Sequence, residues 1–93
     1  MIYDSIIIGK GPAGITTAVY LKRYGYEPLI IAKDGGALVH VKEIENYYGF
    51  SKITGPELLE RGIKQANELQ IPILEEEVLE ISFENVFFIT TTK

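Results

Sequence analysis

The hydrophobic pattern starts with a continuous apolar run, changes to a helical period and then returns to a second apolar run. Residues 2–8 are rich in isoleucine, which predicts a short strand buried on both faces of a parallel sheet. From Ile15 onward, apolar residues recur at helical spacing, which predicts a helix over 12–24. Residues 28–32 form the second apolar run. The start of the chain is therefore expected to form a strand–helix–strand unit.

The middle of the chain loses this periodicity before a second helix begins. Residues 34–53 contain glycines and aromatics without a regular spacing, which predicts a long ordered loop with one short helical turn. Thr54 and Glu57 have the spacing of a capping box. The apolar positions that follow predict a helix over 55–69.

The last third of the chain contains short β-rich runs. An acidic run at 75–77 is interpreted as a solvated bend, because no histidine or further ligand near it would favour a metal site. The runs on either side of Glu84 and Asn85 predict an antiparallel hairpin. The expected fold class is α/β, with three layers, crossover helices, this terminal hairpin and a small parallel sheet from residues 2–8, 28–32 and 71–74.

Composition narrows the classes of function. A chain of 93 residues with 46% hydrophobic and 24% charged residues is expected to form a single folded domain over residues 1–93. The net charge of -4, without a basic cluster, argues against nucleic acid as a partner. No apolar stretch is long enough to span a membrane, and Asp4 and Lys10 interrupt the first run, so a cytoplasmic location is expected. Without cysteine, these residues cannot form a disulfide or a redox dithiol.

The sequence GKGPAG at residues 9–14 joins the first predicted strand to the first predicted helix. In such a loop, Gly9 would allow a tight turn, Gly11 would let the backbone approach a pyrophosphate, and Gly14 would allow close packing of helix and strand. Pro12 is tolerated in the first helical turn, where the amides have no partners in the helix. The context predicts a dinucleotide site, and a glycine-rich turn without a ligand is the alternative.

Two polar residues near this loop allow two interpretations each. Asp34 follows the second strand, where an acid commonly binds the ribose, but it also precedes two glycines and would suit a turn. Lys10 would either help neutralise phosphate or point to solvent, and the solvent position is favoured.

Four motifs together resemble one known family. They are GKGPAG at 9–14, GGAL at 35–38, EIENYYGF at 43–50 and TGPELLERGIKQA at 54–66. In this order they are similar to the N-terminal FAD-binding segment of the low-molecular-weight thioredoxin reductases, over nearly all of the chain. The resemblance implies a partial Rossmann-like FAD/NAD(P)-binding fold within a flavoprotein that passes electrons through FAD to a Cys-x-x-Cys disulfide and on to thioredoxin.

The resemblance also implies roles for individual residues. The FAD pyrophosphate would lie on the glycine loop, at Gly9, Gly11, Pro12, Ala13 and Gly14, and Gly36 belongs to the double-glycine motif. Asn46 would lie against the flavin and ribityl chain, and Val78 would offer its backbone groups to the adenine. No catalytic residue and no metal ligand is expected.

The chain departs from the family pattern at several positions. Ala37 stands where glutamine is common, and Lys10 stands where a small residue is usual. His40 is the only histidine, and an ordinary loop position is favoured over a proton relay. The aromatics of the loop, which are Tyr47, Tyr48 and Phe50, would either flank a ring cofactor or fasten the loop to the core.

The resemblance implies that important parts of the enzyme lie outside these residues. These parts are the dithiol, the pyridine-nucleotide domain and a returning segment that completes the FAD site, so the segment by itself is not expected to turn over. The electron donor of the whole enzyme would be NADPH or ferredoxin. The alternative is a non-catalytic α/β nucleotide-binding or interaction module, whose exposed sheet edges would favour homo-oligomers or a partner that completes the sheet.

Overall fold

A computed structural model describes residues 2–92, so the ends of the predicted domain, Met1 and Lys93, lie outside the described residues. The elements are strands β1 (Ser5–Ile8), β2 (Pro28–Ile31), β3 (Ile73–Leu74), β4 (Val78–Glu84) and β5 (Val86–Thr91), with helices α1 (Pro12–Arg23) and α2 (Gly55–Glu68) and a 3₁₀ helix (Gly36–His40). The predicted α/β class is confirmed, with a small parallel sheet, two long helices and a terminal antiparallel hairpin.

The parallel sheet has the order β1-β2-β3, which makes β2 the central strand. All four residues of β2 are buried, as the apolar run predicted. The prediction that the first strand is buried on both faces is wrong. β1 is an edge strand among the described residues, its first three residues are half-buried, and Ile8 at its end is exposed.

The helices begin where the sequence predicted, and each ends one residue earlier than expected. Thr54 caps α2: its hydroxyl accepts a hydrogen bond from the Glu57 N–H, and the Glu57 carboxylate accepts one from the Thr54 N–H, so the capping box is confirmed. The apolar faces of both helices meet β2 in one core. Its buried members are Ile15, Ala18, Ile30, Ala66 and Ile71.

The third predicted strand is shorter than expected. Only Ile73 and Leu74 pair with β2, whereas Ile71 is buried without belonging to a strand. The Ile71 N–H donates to the Ala66 carbonyl and so closes the end of α2. Ile71 thus contributes to the cap of α2, whereas Ile73 and Leu74 belong to the sheet.

The long loop is ordered as expected. It contains the 3₁₀ helix and an isolated antiparallel bridge between Ile44 and Ile53. Gly55 at the start of α2 lies so close to this loop that an added Cβ would meet the Leu38 carbonyl oxygen at 1.8 Å. The loop is therefore packed directly on the helix.

Candidate functional site at the carboxyl edge of the sheet

The three parallel strands end at the same edge of the sheet, and a cleft of about 520 Å³ lies there. The glycine loop after β1, the turn after β2 and the acidic turn after β3 all line it. Ligands of open α/β sheets bind outside the carboxyl ends of the strands, and a volume of this order suits a small ligand. We call this space the glycine-loop cleft.

The three loop glycines are required for three different reasons. Gly9 has φ +117, a backbone conformation that residues with a side chain rarely adopt. A Cβ at Gly14 would lie 2.3 Å from the Gly9 carbonyl oxygen, so helix and loop pack too closely there for any side chain. Gly11 has an ordinary extended conformation, and a Cβ there would meet nothing within 4 Å. The fold therefore explains Gly9 and Gly14 but leaves open space at Gly11.

Helix α1 begins within this loop, and its first residues line the cleft. Pro12 occupies the first helical position, and the first helical hydrogen bond runs from the Ile15 N–H to the Gly11 carbonyl. The amides that precede Ile15, including those of Ala13 and Gly14, have no helical carbonyl to which they can donate a hydrogen bond. Among the residues that the structure describes, no side chain caps this end of the helix, and its first turn contains no acidic residue. This end of the helix can therefore receive an anion.

The structure places eight of the nine predicted site residues around the glycine-loop cleft. They are Gly9, Gly11, Pro12, Ala13, Gly14, Asp34, Gly36 and Val78. Asn46 instead lines a neighbouring cavity, which shares Pro12 and Leu38 with the cleft. The structure thus brings together predicted site residues from three separate segments, with Asn46 in the adjoining space.

The turn interpretation of Asp34 is confirmed. Its Oδ1 atom accepts a hydrogen bond of 2.9 Å from the Gly36 N–H, which fixes the turn that follows β2. Gly36 has φ +73, so this turn needs a glycine. Asp34 is exposed and is also among the residues that line the cleft with the glycine loop.

The expectation that Lys10 points to solvent is wrong. Lys10 is buried, and its Nζ atom lies 3.2 Å from Oε2 of Glu75, in the acidic turn after β3. Pattern reasoning missed this pair because the two residues are 65 positions apart. The available signal was the predicted parallel sheet, since the carboxyl ends of its strands must meet at one edge.

The remaining candidates of the long loop lie in different environments. The Arg61 guanidinium lies over the Phe50 ring, 5.3 Å from its centroid, so Phe50 fastens the loop to α2. Tyr48 is 99% exposed, which supports neither contact with a ring cofactor nor attachment of the loop to the core. Tyr47 lines the same cavity as Asn46. His40 is exposed at the end of the 3₁₀ helix and is not among the residues that line the glycine-loop cleft.

Two negative findings apply to residues 2–92. None of their helices has the length and apolar character needed to cross a membrane. Within the same range, no three histidine, cysteine or acidic side chains come together in a way that would hold a metal ion.

Comparison with known proteins gives a consistent answer. No family model matches the chain. Thioredoxin reductase from Ureaplasma parvum serovar 3 is 40% identical over 88 residues, which cover 92% of this chain and 28% of that protein. The crystal structure of Lactococcus lactis thioredoxin reductase in the FR conformation matches with a TM-score of 0.90 and 34% identity, over 97% of this chain and 31% of the other.

A ferredoxin-flavin thioredoxin reductase from Clostridium acetobutylicum also matches, with a TM-score of 0.83 and 31% identity over 98% of this chain and 33% of the other. The chain thus spans about a third or less of the length of these relatives. The resemblance drawn from the motifs is confirmed in sequence and in fold: this chain belongs to the thioredoxin reductase family and corresponds to the N-terminal segment of its members.

Proposed function

We propose that this chain is the FAD-binding segment of a thioredoxin reductase-like flavoprotein disulfide oxidoreductase. The observation that carries the proposal is the open space at Gly11, beside the uncapped start of α1 and at the carboxyl edge of the sheet. A glycine that the fold itself does not need suits the close approach of a diphosphate to the backbone. The cleft fits the group, because its loop offers amides and room where the phosphates would lie.

The predicted residues then have distinct parts in holding FAD. The diphosphate would lie on the loop 9–14, where the backbone amides and the start of α1 face it. Asp34 would accept hydrogen bonds from the ribose with the carboxylate oxygen that the turn does not use. Val78 would contact the adenine through its backbone, and Asn46 would contact the flavin side from the adjoining cavity.

The whole enzyme would complete the reaction with residues outside this chain. Bound FAD supplies electron transfer, and the chain has no cysteine, so the Cys-x-x-Cys would come from elsewhere in the enzyme. Its disulfide substrate would be a thioredoxin, in the cytoplasm. The donor would be NADPH or ferredoxin, since relatives named for both thioredoxin reductase and ferredoxin-flavin thioredoxin reductase match this segment.

The proposal is tested by titrating FAD with the purified chain and following flavin fluorescence, with ADP as competitor. We expect a saturable change that ADP reverses, because the loop and the turn after β2 would hold the ADP half of FAD. A linear response, or binding that ADP does not displace, would contradict the proposal.

A graded series at Gly11 links this binding to the loop. Gly11→Ala should weaken FAD binding and Gly11→Val should weaken it by more than about tenfold, or roughly 1.4 kcal/mol, because the side chain would fill the space of the diphosphate. Circular dichroism should show both variants folded, since the Gly11 backbone is extended and suits any residue. Equal FAD affinity in all three proteins would exclude the loop as the diphosphate site.

A second candidate function is a non-catalytic α/β module that a partner completes. The observation in its favour is the edge position of β1 together with the exposed apolar side chains of the β4–β5 hairpin. The FAD titration distinguishes the two functions, because the module predicts no saturable binding of FAD to the chain alone.

A further inference from the structure

Acidic residues line part of the glycine-loop cleft, together with the loop that would bind phosphate. Glu76 and Glu77 line the cleft, and Glu75 directly precedes them in the turn after β3. Carboxylates near a diphosphate oppose its binding through charge repulsion, which a cleft screens less than open water does. A positively charged side chain near these carboxylates would offset this repulsion.

Each carboxylate of the turn contacts a different element around the cleft. Lys10 of the glycine loop lies 3.2 Å from Glu75, and Lys33 after β2 lies 4.0 Å from Glu77. The Thr91 hydroxyl of β5 donates a hydrogen bond to the Glu76 carboxylate. The turn is therefore tied to the loop, the central strand and the hairpin at once.

Lys10 differs from Lys33 in its environment. The Lys10 side chain is only 10% exposed, whereas that of Lys33 is 66% exposed. Solvent screens the charge of an exposed lysine, and a lysine that is nearly buried keeps most of its field. A buried ammonium also needs a partner, which Glu75 supplies. Of the two lysines that line the cleft, Lys10 is therefore the one whose charge solvent screens less, although its partner Glu75 is 74% exposed.

We propose that Lys10 is a charge-balancing residue, whose ion pair with Glu75 cancels the field of the acidic turn at the glycine loop and so allows a nucleoside diphosphate group to bind. In this proposal Lys10 acts through Glu75, which accepts one of the three N–H groups of its ammonium. Direct contact of the other N–H groups with phosphate is the alternative that the experiment separates. The inference rests on the proposed function, since it concerns the same cleft.

A double-mutant cycle tests the inference. Isothermal titration calorimetry measures the binding of ADP and of adenosine to the wild-type chain, Lys10→Met, Glu75→Gln and the double variant. Lys10→Met should weaken ADP binding about fivefold, the size expected for one unbalanced charge near a partly screened site. Adenosine has no phosphate, so its affinity should stay within about twofold. The double variant should regain ADP affinity to within about twofold of wild type.

The outcomes separate the inference from its alternatives. If Lys10 instead bound phosphate directly, the double variant would remain as weak as Lys10→Met, and the inference would be wrong. An equal loss of ADP and adenosine affinity in Lys10→Met would indicate a purely structural role and would also overturn it. If the wild-type chain bound no ADP, the proposed function would fail, and this inference with it.

Lys22→Met is the matched control. Lys22 forms an ion pair of 2.9 Å with Glu27 near the far end of α1, about 15 Å along the helix from Pro12. The variant removes the same charge from the same kind of pair, but it lies outside the cleft. ADP affinity should be unchanged in this variant, and a loss equal to that of Lys10→Met would indicate an effect of net charge alone and contradict the inference.

Discussion

At the scale of single residues, the glycine loop separates what the fold requires from what it leaves open. The backbone of Gly9 and the packing of Gly14 require glycine within the chain itself. Gly11 has neither constraint. Its lack of a side chain matters only if a ligand approaches the backbone closely. The sequence motif predicted all three positions, but only the structure shows which of them the fold explains.

The two kinds of glycine should respond differently to alanine. Gly14→Ala should lower the free energy of unfolding by about 1–3 kcal/mol, because its Cβ would meet the backbone oxygen of Gly9. Gly11→Ala is the matched control and should lower it by less than about 1 kcal/mol, since the added Cβ enters open space and only the N-cap preference for glycine is lost. Urea denaturation followed by circular dichroism measures both. Equal destabilisation by the two variants would refute this division.

At the scale of elements, both helices end in the same pattern of hydrogen bonds. After α1, Gly25 adopts φ +92, and its N–H donates to the carbonyl of Lys22. After α2, Gln70 takes the equivalent position with φ 60, and its N–H donates to the carbonyl of Asn67. A glutamine in this conformation is strained, because its Cβ crowds the backbone. Helix α2 thus ends at a residue that is poorly suited to the position.

Replacing Gln70 by glycine should stabilise the protein. Gln70→Gly would relieve the left-handed strain, offset in part by the greater freedom of glycine in the unfolded chain, for a net gain of about 0.5 kcal/mol. The control is Gln65→Gly inside α2, which should cost about 1 kcal/mol because the backbone there is helical. Thermal unfolding distinguishes the two, and a loss of stability in Gln70→Gly would count against the cap assignment.

The elements that depend on local signals were predictable, and those that depend on neighbours were less so. The capping box at Thr54 and Glu57 predicted the start of α2 from sequence alone. The burial of β1 could not be predicted in this way, because a strand's burial depends on which strands lie beside it. Ile71 shows the same limit, since its apolar side chain suits a strand or a buried helix cap equally well.

At the scale of the whole molecule, the chain is extended for its length. Its radius of gyration is 14.2 Å, whereas a compact domain of this size has a value of about 12 Å. Within residues 2–92, the β4–β5 hairpin forms a sheet of its own, and most of its large apolar side chains are exposed. Ile81, Phe83, Phe87 and Ile89 lie on one face of the hairpin, where the rings of Phe83 and Phe87 are 4.9 Å apart. Such a face favours association.

We expect the purified chain to self-associate through this hairpin face. Sedimentation velocity should show a sedimentation coefficient that rises with concentration, and Phe87→Lys should reduce that rise by placing a charge on the apolar face. Tyr48→Lys is the control, because Tyr48 is fully exposed but lies in the long loop. A monomer at every concentration would contradict the expectation.

The assembly of the cleft also belongs to the whole molecule. The sequence predicted the loop 9–14 as a site, but the acidic turn and Lys33 enter the cleft only because three parallel strands end together. The pair of Lys10 and Glu75 depends on the same topology. The local sequence pattern therefore predicts a phosphate-binding loop at residues 9–14. The charged residues around that loop can be identified only from the folded structure.

The most direct test of the central claim is an amide-resolved NMR titration of the chain with ADP. We predict that the largest shifts occur at the amides of Gly9, Gly11, Ala13 and Gly14, with smaller shifts around Asp34, since these groups surround the cleft. The amides of the β4–β5 hairpin beyond Val78 should change little. Absence of shifts in the glycine loop, or shifts confined to the hairpin, would contradict the claim that this loop binds the diphosphate.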